Sequence, residues 1–329
     1  MALDNRIRSP KERPLFIAGV VFSSIAWLAL VVSIIGAVYG AIILAFVLAA
    51  HALFLAHVRG NGVRVSQAQL PELHERCKLT ARKLGLEEVP EVYLLQAGGA
   101  LNAFATKLLS RRVVIIYSDL ADQCDDPRQL DFVVGHEMGH LAAGHLQWQG
   151  FLLPFMMLPW FGSAYSRARE YTCDRAGLEV SDGLEPALRG LAVLAAGGKH
   201  AQKVDLAAFM DQRAESGTFW MSVLELSSSH PFLCKRAAAL QEFTQPGSVR
   251  AVPRNILAYP LAPLFGFAAA GTQAGSMIVV FAMIGMMAAI AIPNFVKFQE
   301  RAKAAAAAAA QQQSHQRQQP DTSTSSFAR

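Results

Sequence analysis

His136-Glu137-Met138-Gly139-His140 is the stretch from which the rest of the chain can be read. On a helix, residues four apart share a face, so both imidazoles can point at one ion. Glu137, one residue past the first histidine, can reach a water on that ion. The competing reading is a chance match of common residue types. The surroundings favour the motif: residues 127–147 read as a helix with Asp126 as its cap, Pro127 at the first position and Gln129 closing a capping box. Val133 and Val134 before the motif and Leu141 after it supply buried contacts.

A catalytic zinc usually takes three protein ligands and leaves a fourth position for water, so a third ligand is expected downstream. Ser166–Gly177 offers Glu170 and Asp174, four apart on one helical face. Glu170 is the expected metal ligand. Asp174 would accept a hydrogen bond from a ligand histidine and fix its orientation. The alternative is an exposed helix face on which Arg167, Arg169 and Arg175 pair with these carboxylates.

Further out, Gln67–Leu84 is helical in pattern, with Pro71 near its start and Gly85 just past its end. Glu91–Gln96 and Arg112–Tyr117 read as short strands. Segments 164–180, 185–197, 203–213 and 231–244 read as helices. His145 is expected as a structural residue on the motif helix. His74, His200 and His315 have no motif around them. The four cysteines, Cys77, Cys124, Cys173 and Cys234, form no C-x-x-C pair, which speaks for a reduced compartment and against a cysteine metal site.

The composition, 53% hydrophobic and 17% charged, suits one globular domain with membrane segments. Leu15–Val58 runs 44 residues without Asp, Glu, Lys or Arg, enough for two crossings, with Gly36 and Gly40 marking the connection. A cleaved signal peptide is the rival reading and fails on length. Arg6, Arg8, Lys11 and Arg13 on one flank and Arg59 and Arg64 on the other place both ends in the cytoplasm. The net charge of +5 is spread out or flanks apolar runs, so no nucleic-acid surface is expected. His51 and His57, near the end of the second span, are given no role. Residues 150–165 are apolar but short and broken by Pro154 and Pro159, a membrane-dipping or interfacial loop rather than a span. Near the C-terminus, 256–271 is a weak apolar run with two prolines and Met277–Val296 a clear span. From Ala304 the chain is alanine-, glutamine- and then Ser/Thr-rich, and is expected to be disordered.

His136–His140 followed by Glu170-x-x-x-Asp174 resembles the HtpX and CAAX prenyl protease type 1 group of integral-membrane zinc metallopeptidases, of gluzincin type. Asn102-Ala103-Phe104-Ala105 is similar to a segment of that group at the active-site cleft, which implies substrate binding by Asn102, Ala103 and Phe104. Ser229-His230-Pro231, then Arg236, resembles the group's downstream His-Pro block. That implies a catalytic His230 stabilising the transition state, with Arg236 as its support or a second donor to substrate. A His-Pro pair is also an ordinary helix start. The paired apolar stretches at the N-terminus are similar to HtpX in particular, and the resemblance covers about 15–250. HtpX-like chains place two further spans between the metal motifs. Here thirty residues separate His140 from Glu170, so a cytoplasmic domain lying on the bilayer is expected.

The resemblance implies a mainly α (α+β) zincin-like metallopeptidase domain with transmembrane helices and one Zn2+ per chain. The expected function is a membrane-anchored zinc metalloendopeptidase with Glu137 as general base, in membrane-protein quality control or processing. It would act on proteins or peptides, membrane proteins among them, at the bacterial inner membrane with the catalytic domain facing the cytoplasm. The expected parts are a basic N-terminus (1–14), a transmembrane hairpin (15–58), the peptidase domain (59–250), a C-terminal membrane region (256–297) and a low-complexity tail (298–329). Within the C-terminal region, 277–296 resembles the first helix of type IV pilins but lacks their processing site and glutamate. A plain membrane anchor is the simpler reading, and docking to pilin-like partners the sharper one. The alternative for the whole chain is a catalytically silent zincin-fold scaffold on a pilin-type or other membrane assembly. A scaffold has no need of the base Glu137.

Overall fold

A computed structural model describes residues 3–108, 111–158, 160–265 and 293–306. It is mostly helical with one small sheet, the α-dominant class expected. The chain opens with two long apolar helices, α1 (Glu12–Val32) and α2 (Ile34–Asn61). Their connection lies at Ser33, whose extended backbone breaks the helix and whose Oγ accepts the Gly36 N–H at 3.2 Å. Gly36 and Gly40, expected at the turn, lie inside α2. There a methyl on Gly36 would stand 2.9 Å from the Leu30 carbonyl, so the glycine permits close approach of α1. Both helices are long and apolar enough to cross a membrane, and Ile25, Leu28 and Leu53 are among the many large apolar side chains they expose.

The sheet comprises β1 (Val63–Arg64), β2 (Glu91–Leu95), β3 (Ala103–Leu108) and β4 (Arg111–Tyr117), in the order β1-β2-β4-β3. β2 and β4 run parallel, with Val92 opposite Val114; the outer pairs are antiparallel. Successive strand residues face opposite ways. Val92, Val114 and Ile116 therefore pack under the motif helix, while Tyr93, Leu95, Val113 and Ile115 pack under Leu55 and Val58 of α2. Burial of both faces accounts for the unbroken Val-Val-Ile-Ile run of β4. β3, without that pattern, was legible only as a cleft segment. Between β1 and β2, α3 (Pro71–Lys83) starts later than the pattern predicts, because Leu70 takes a left-handed conformation at φ 59°.

The helical part follows as α4 (Ser118–Asp122), α5 (Pro127–Ala142), α6 (His145–Trp148), α7 (Leu153–Met156), α8 (Phe161–Val180) and α9 (Leu184–Ala196). Then come α10 (Gly198–Ala201), α11 (Leu206–Asp211), a 3-10 turn (Gln212–Gly217), α12 (Phe219–Ser227), α13 (Leu233–Thr244) and α14 (Ala258–Phe265). The predicted helix 127–147 is two pieces. Gly144, left-handed at φ 79°, stops α5 and places His145 on a separate turn. Asp126 caps α5 through the Arg128 N–H at 2.8 Å, but the capping box is not closed, since Gln129 Oε1 has no partner. Segment 203–213 is likewise split, and α12 was not foreseen.

Segment 150–165 folds alongside α1: Phe151 O accepts from Trp27 Nε1 at 2.7 Å, and Phe155 packs on Gly19. The N-terminal residues pack on the domain, with Leu3 and Ile7 buried in the core beside Val134 and Met138 of the motif helix. Of the weak apolar run 256–271, the described part forms α14, where Ala258 and Ala262 pack on Val223 and Leu226. Residues 277–292 of the pilin-like stretch lie outside the described residues. Residues 293–306, in a separate unit, are helical, including the first part of the expected low-complexity tail; 307–329 lie outside the described residues.

Candidate metal centre

α5 and α8 supply the centre, and small residues let them meet. A methyl on Gly135 would stand 2.2 Å from Val180 Cγ2, and one on Gly139 would stand 2.9 Å from the Ala176 methyl. Only glycine at these positions, on the face that meets α8, allows the two axes so close. That approach carries His136 and His140 to Glu170. Nε2 of His136 is 3.3 Å from Glu170 Oε2, and Nε2 of His140 is 3.5 Å from Glu170 Oε1. Two tetrahedral ligands, each about 2.0–2.1 Å from an ion, stand about 3.4 Å apart. The spacing therefore fits three donors around one cation.

The chemistry of the donors fits as well. Glu170 Oε2 is buried and makes no well-formed hydrogen bond, with only longer contacts from His136 Nε2 at 3.3 Å and Arg236 Nη1 at 3.7 Å, so a cation between the donors would satisfy it. Burial opposes charge on His136, yet its contacts with the carboxylates of Asp174 and Glu170 outweigh burial and push its pKa up to about 10. The cluster thus favours a positive charge between the imidazoles and Glu170. His140 moves the other way, held well below the ordinary histidine value by burial, so it offers a neutral ring nitrogen. Burial pushes the Glu137 carboxyl up to about 7, against the opposing pull of His136. Among the described residues, His136, His140 and Glu170 form one of two groups with metal-ligand geometry. The other, His140, His145 and Cys173, shares His140 with it.

Each imidazole is held from behind. His136 Nδ1 is 2.9 Å from Asp174 Oδ1, and Asp174 receives Nε and Nη2 of Arg236. His140 Nδ1 is 3.0 Å from Nδ1 of His145. Glu137 Oε2 accepts the backbone N–H of Ala105 at 2.9 Å, which ties the motif to β3. Because β3 pairs with β4 on one side only, this outward N–H lies on the free edge of the sheet.

Several expectations change. Glu170 and Asp174 are buried, so the alternative of an exposed ion-paired face does not form. Arg167 instead turns inward and donates to the carbonyls of Glu225, Leu226 and Ser228, pinning the segment that carries His230 to the helix that carries Glu170. His230 stands at the rim, 59% exposed, with Nε2 3.6 Å from Glu170 Oε1. Arg236, expected to contact substrate, is buried behind the ligands with its guanidinium engaged by Asp174. Phe104 packs on Phe54 and Tyr117 under α2, and Asn102 Oδ1 is used locally by the Ala103 N–H. His51, given no role, meets Thr106 Oγ1 at 2.8 Å. His145, Arg167 and Ala105 are the site residues that sequence reasoning missed. His145 carried a signal, as a third histidine five positions past His140, and Ala105 lies in the segment 102–105 similar to a cleft segment, without a role assigned to it.

This buried pair of helices, joined by a histidine–glutamate cluster suited to a cation, is the setting of a metal-dependent peptidase. The chain belongs to peptidase family M48, whose profile matches residues 67–158 and 148–244, more than half of the sequence. The plastoglobule-localized metallopeptidase 48 of Arabidopsis thaliana, a chloroplastic protein, is 27% identical over 210 residues. The match covers 56% of this chain and 60% of that protein, so the chain spans less than two thirds of its relative's length. No solved structure matches.

Proposed function

We propose that the chain is a membrane-anchored zinc metalloendopeptidase of the HtpX-like kind in which His136, His140 and Glu170 hold one Zn2+. The convergence of these three donors, with Glu170 Oε2 buried and without a well-formed hydrogen bond, carries the reading. Nitrogen and carboxylate donors suit zinc, which supplies Lewis acidity to a peptide carbonyl and acidifies water at the site.

The chain's own residues do the rest. Glu137 holds and returns the proton that water gives up during attack; its raised pKa suits a base that must also act as an acid. An extended substrate would add as a strand at the outer edge of β3, taking over the Ala103 and Ala105 N–H groups from Asn102 and Glu137, which sets the scissile bond beside Glu137. His230, exposed at the rim near Glu170, donates to the developing oxyanion. Asp174 fixes the ring of His136, and Arg236 neutralises Asp174 rather than touching substrate.

Two apolar helices with outward-facing side chains support insertion in a bilayer, since so large an exposed apolar surface is unfavourable in water. Substrates are then proteins or peptides at the membrane, in quality control or processing. The bacterial inner membrane, with the catalytic domain in the cytoplasm, follows from the HtpX resemblance and the flanking charges.

Metal analysis of the purified, detergent-solubilised full chain tests the site. The reading expects about one zinc per wild-type chain and a near-complete loss in Glu170→Ala. Equal zinc in both proteins would reject Glu170 as a ligand.

A further inference from the structure

Glu12 opens α1, the first of the two apolar helices, yet it is 4% exposed. Its carboxylate lies among groups of the peptidase domain. Oε1 is 2.7 Å from Nη1 of Arg8 and 3.2 Å from Nε2 of His145, and Oε2 accepts from Thr172 Oγ1 on α8. The residues before it are fastened to the same two helices that form the metal centre. The Ser9 N–H donates to Thr172 Oγ1 at 2.9 Å, Arg8 Nη2 to the Ala143 carbonyl at 3.1 Å, and Arg175 Nη1 to the Arg8 carbonyl at 3.1 Å. Ala143 ends α5 and Arg175 lies on α8. Leu3 and Ile7 anchor the segment in the core.

The hydrogen bonds run in one direction only. An imidazole that offers Nε2 to a cation carries its proton on Nδ1. His140 Nε2 faces Glu170, so Nδ1–H of His140 donates to Nδ1 of His145, 3.0 Å away. His145 then has its proton on Nε2 and donates it to Glu12 Oε1. Nδ1 of His145 also has Cys173 Sγ at 3.7 Å, a longer and weaker contact than that from His140, and the line ends on a carboxylate whose charge Arg8 offsets. Resting on the metal reading above, we infer that Glu12 is a positioning residue of the metal centre: through His145 it sets the tautomer and orientation of His140. Cation affinity thereby depends on the N-terminal segment being seated on the peptidase domain, although that segment lies outside the family match.

The test uses the full chain in detergent, stripped of metal. Zinc is titrated against a competing chelator, and cobalt is added separately because its visible bands report ligand geometry. Glu12→Gln should weaken zinc binding 10–100-fold and shift the cobalt bands. His145→Phe should do the same, and the double variant should bind no more weakly than His145→Phe alone. Val223→Ala opens a cavity in the cluster between α12 and α14 and leaves the N-terminal segment and its hydrogen bonds in place. It should lower the unfolding temperature and keep wild-type zinc affinity and cobalt bands. Wild-type affinity in Glu12→Gln, strictly additive losses in the double variant, or an equal loss in Val223→Ala would overturn the inference while leaving the metal reading intact. A wild type that takes up no zinc would overturn both. Should Glu12→Gln fail to fold, Glu12→Asp, which keeps the charge but withdraws the carboxylate from His145, takes its place: weaker zinc binding and shifted cobalt bands are expected, and wild-type values contradict the inference.

Discussion

His136 and His140 lie one turn apart on α5 and face the same carboxylate, yet they are supported from opposite ends of the chain. His136 leans on Asp174, which the buried Arg236 neutralises, all within the peptidase domain. His140 leans on His145, and beyond it on Glu12 at the start of the membrane-type helix. The first support is a charged pair deep in the core; the second is a line of hydrogen bonds to a segment that must first dock. On the proposed reading, the two histidines combine a fixed half with a half that depends on how the N-terminal segment is seated.

The fixed half should break at greatest cost. Asp174→Ala leaves Arg236 buried without its carboxylate, and loss of one member of a buried pair typically costs about 3–5 kcal/mol. A large fall in the unfolding temperature of the metal-free protein is expected, with zinc affinity down 10–100-fold. An unchanged unfolding temperature would show that Arg236 finds another partner. Next in size is Gly139→Ala, which pushes α5 off Ala176 and Cys173. Overpacking of this kind costs about 1–3 kcal/mol. Chelator competition should show weakened zinc binding too, because Glu170 recedes from both histidines together.

A smaller effect is a matter of pH. In the metal-free protein, Glu137 has its pKa raised from 4.5 to about 7 by burial, so the fold favours its neutral form. The stability it contributes is fully present below about pH 4.5 and is lost as pH rises through about 7. Glu137→Gln has no such ionisation. Unfolding temperatures measured across that window should therefore show the variant gaining on the wild type as pH rises. A constant gap would mean that Glu137 is not held neutral. The smallest effect is expected from deleting 270–329, a unit separate from the peptidase domain. Zinc content and casein cleavage should be unchanged. A change in substrate choice or in recovered partners would instead give the pilin-like stretch a working role.

The contrast between the two histidines also marks what the sequence discloses. His136 and His140 are legible because the helix period alone puts them on one face, with Glu137 one residue past the first, and Glu170 and Asp174 repeat the four-residue spacing downstream. β4 is legible because a strand buried on both faces must be apolar throughout. Contacts set by tertiary packing are not legible. Nothing near Glu12 distinguishes it from a charge flanking a membrane helix, since its partners lie 133 and 160 positions away. Arg236 follows a His-Pro pair and reads as part of it, but α13 turns it inward to Asp174. Gly144 looked like an ordinary helix residue until its positive φ ended α5 and freed His145 to turn behind His140.

The central claim is tested most directly by measuring zinc content and casein cleavage of the purified full chain beside Glu137→Gln. The account predicts about one zinc per chain in both. Cleavage should fall roughly 10²–10⁴-fold in the variant, the contribution of a general base. A wild type without zinc, or a Glu137→Gln protein that cleaves as well as the wild type, would contradict it.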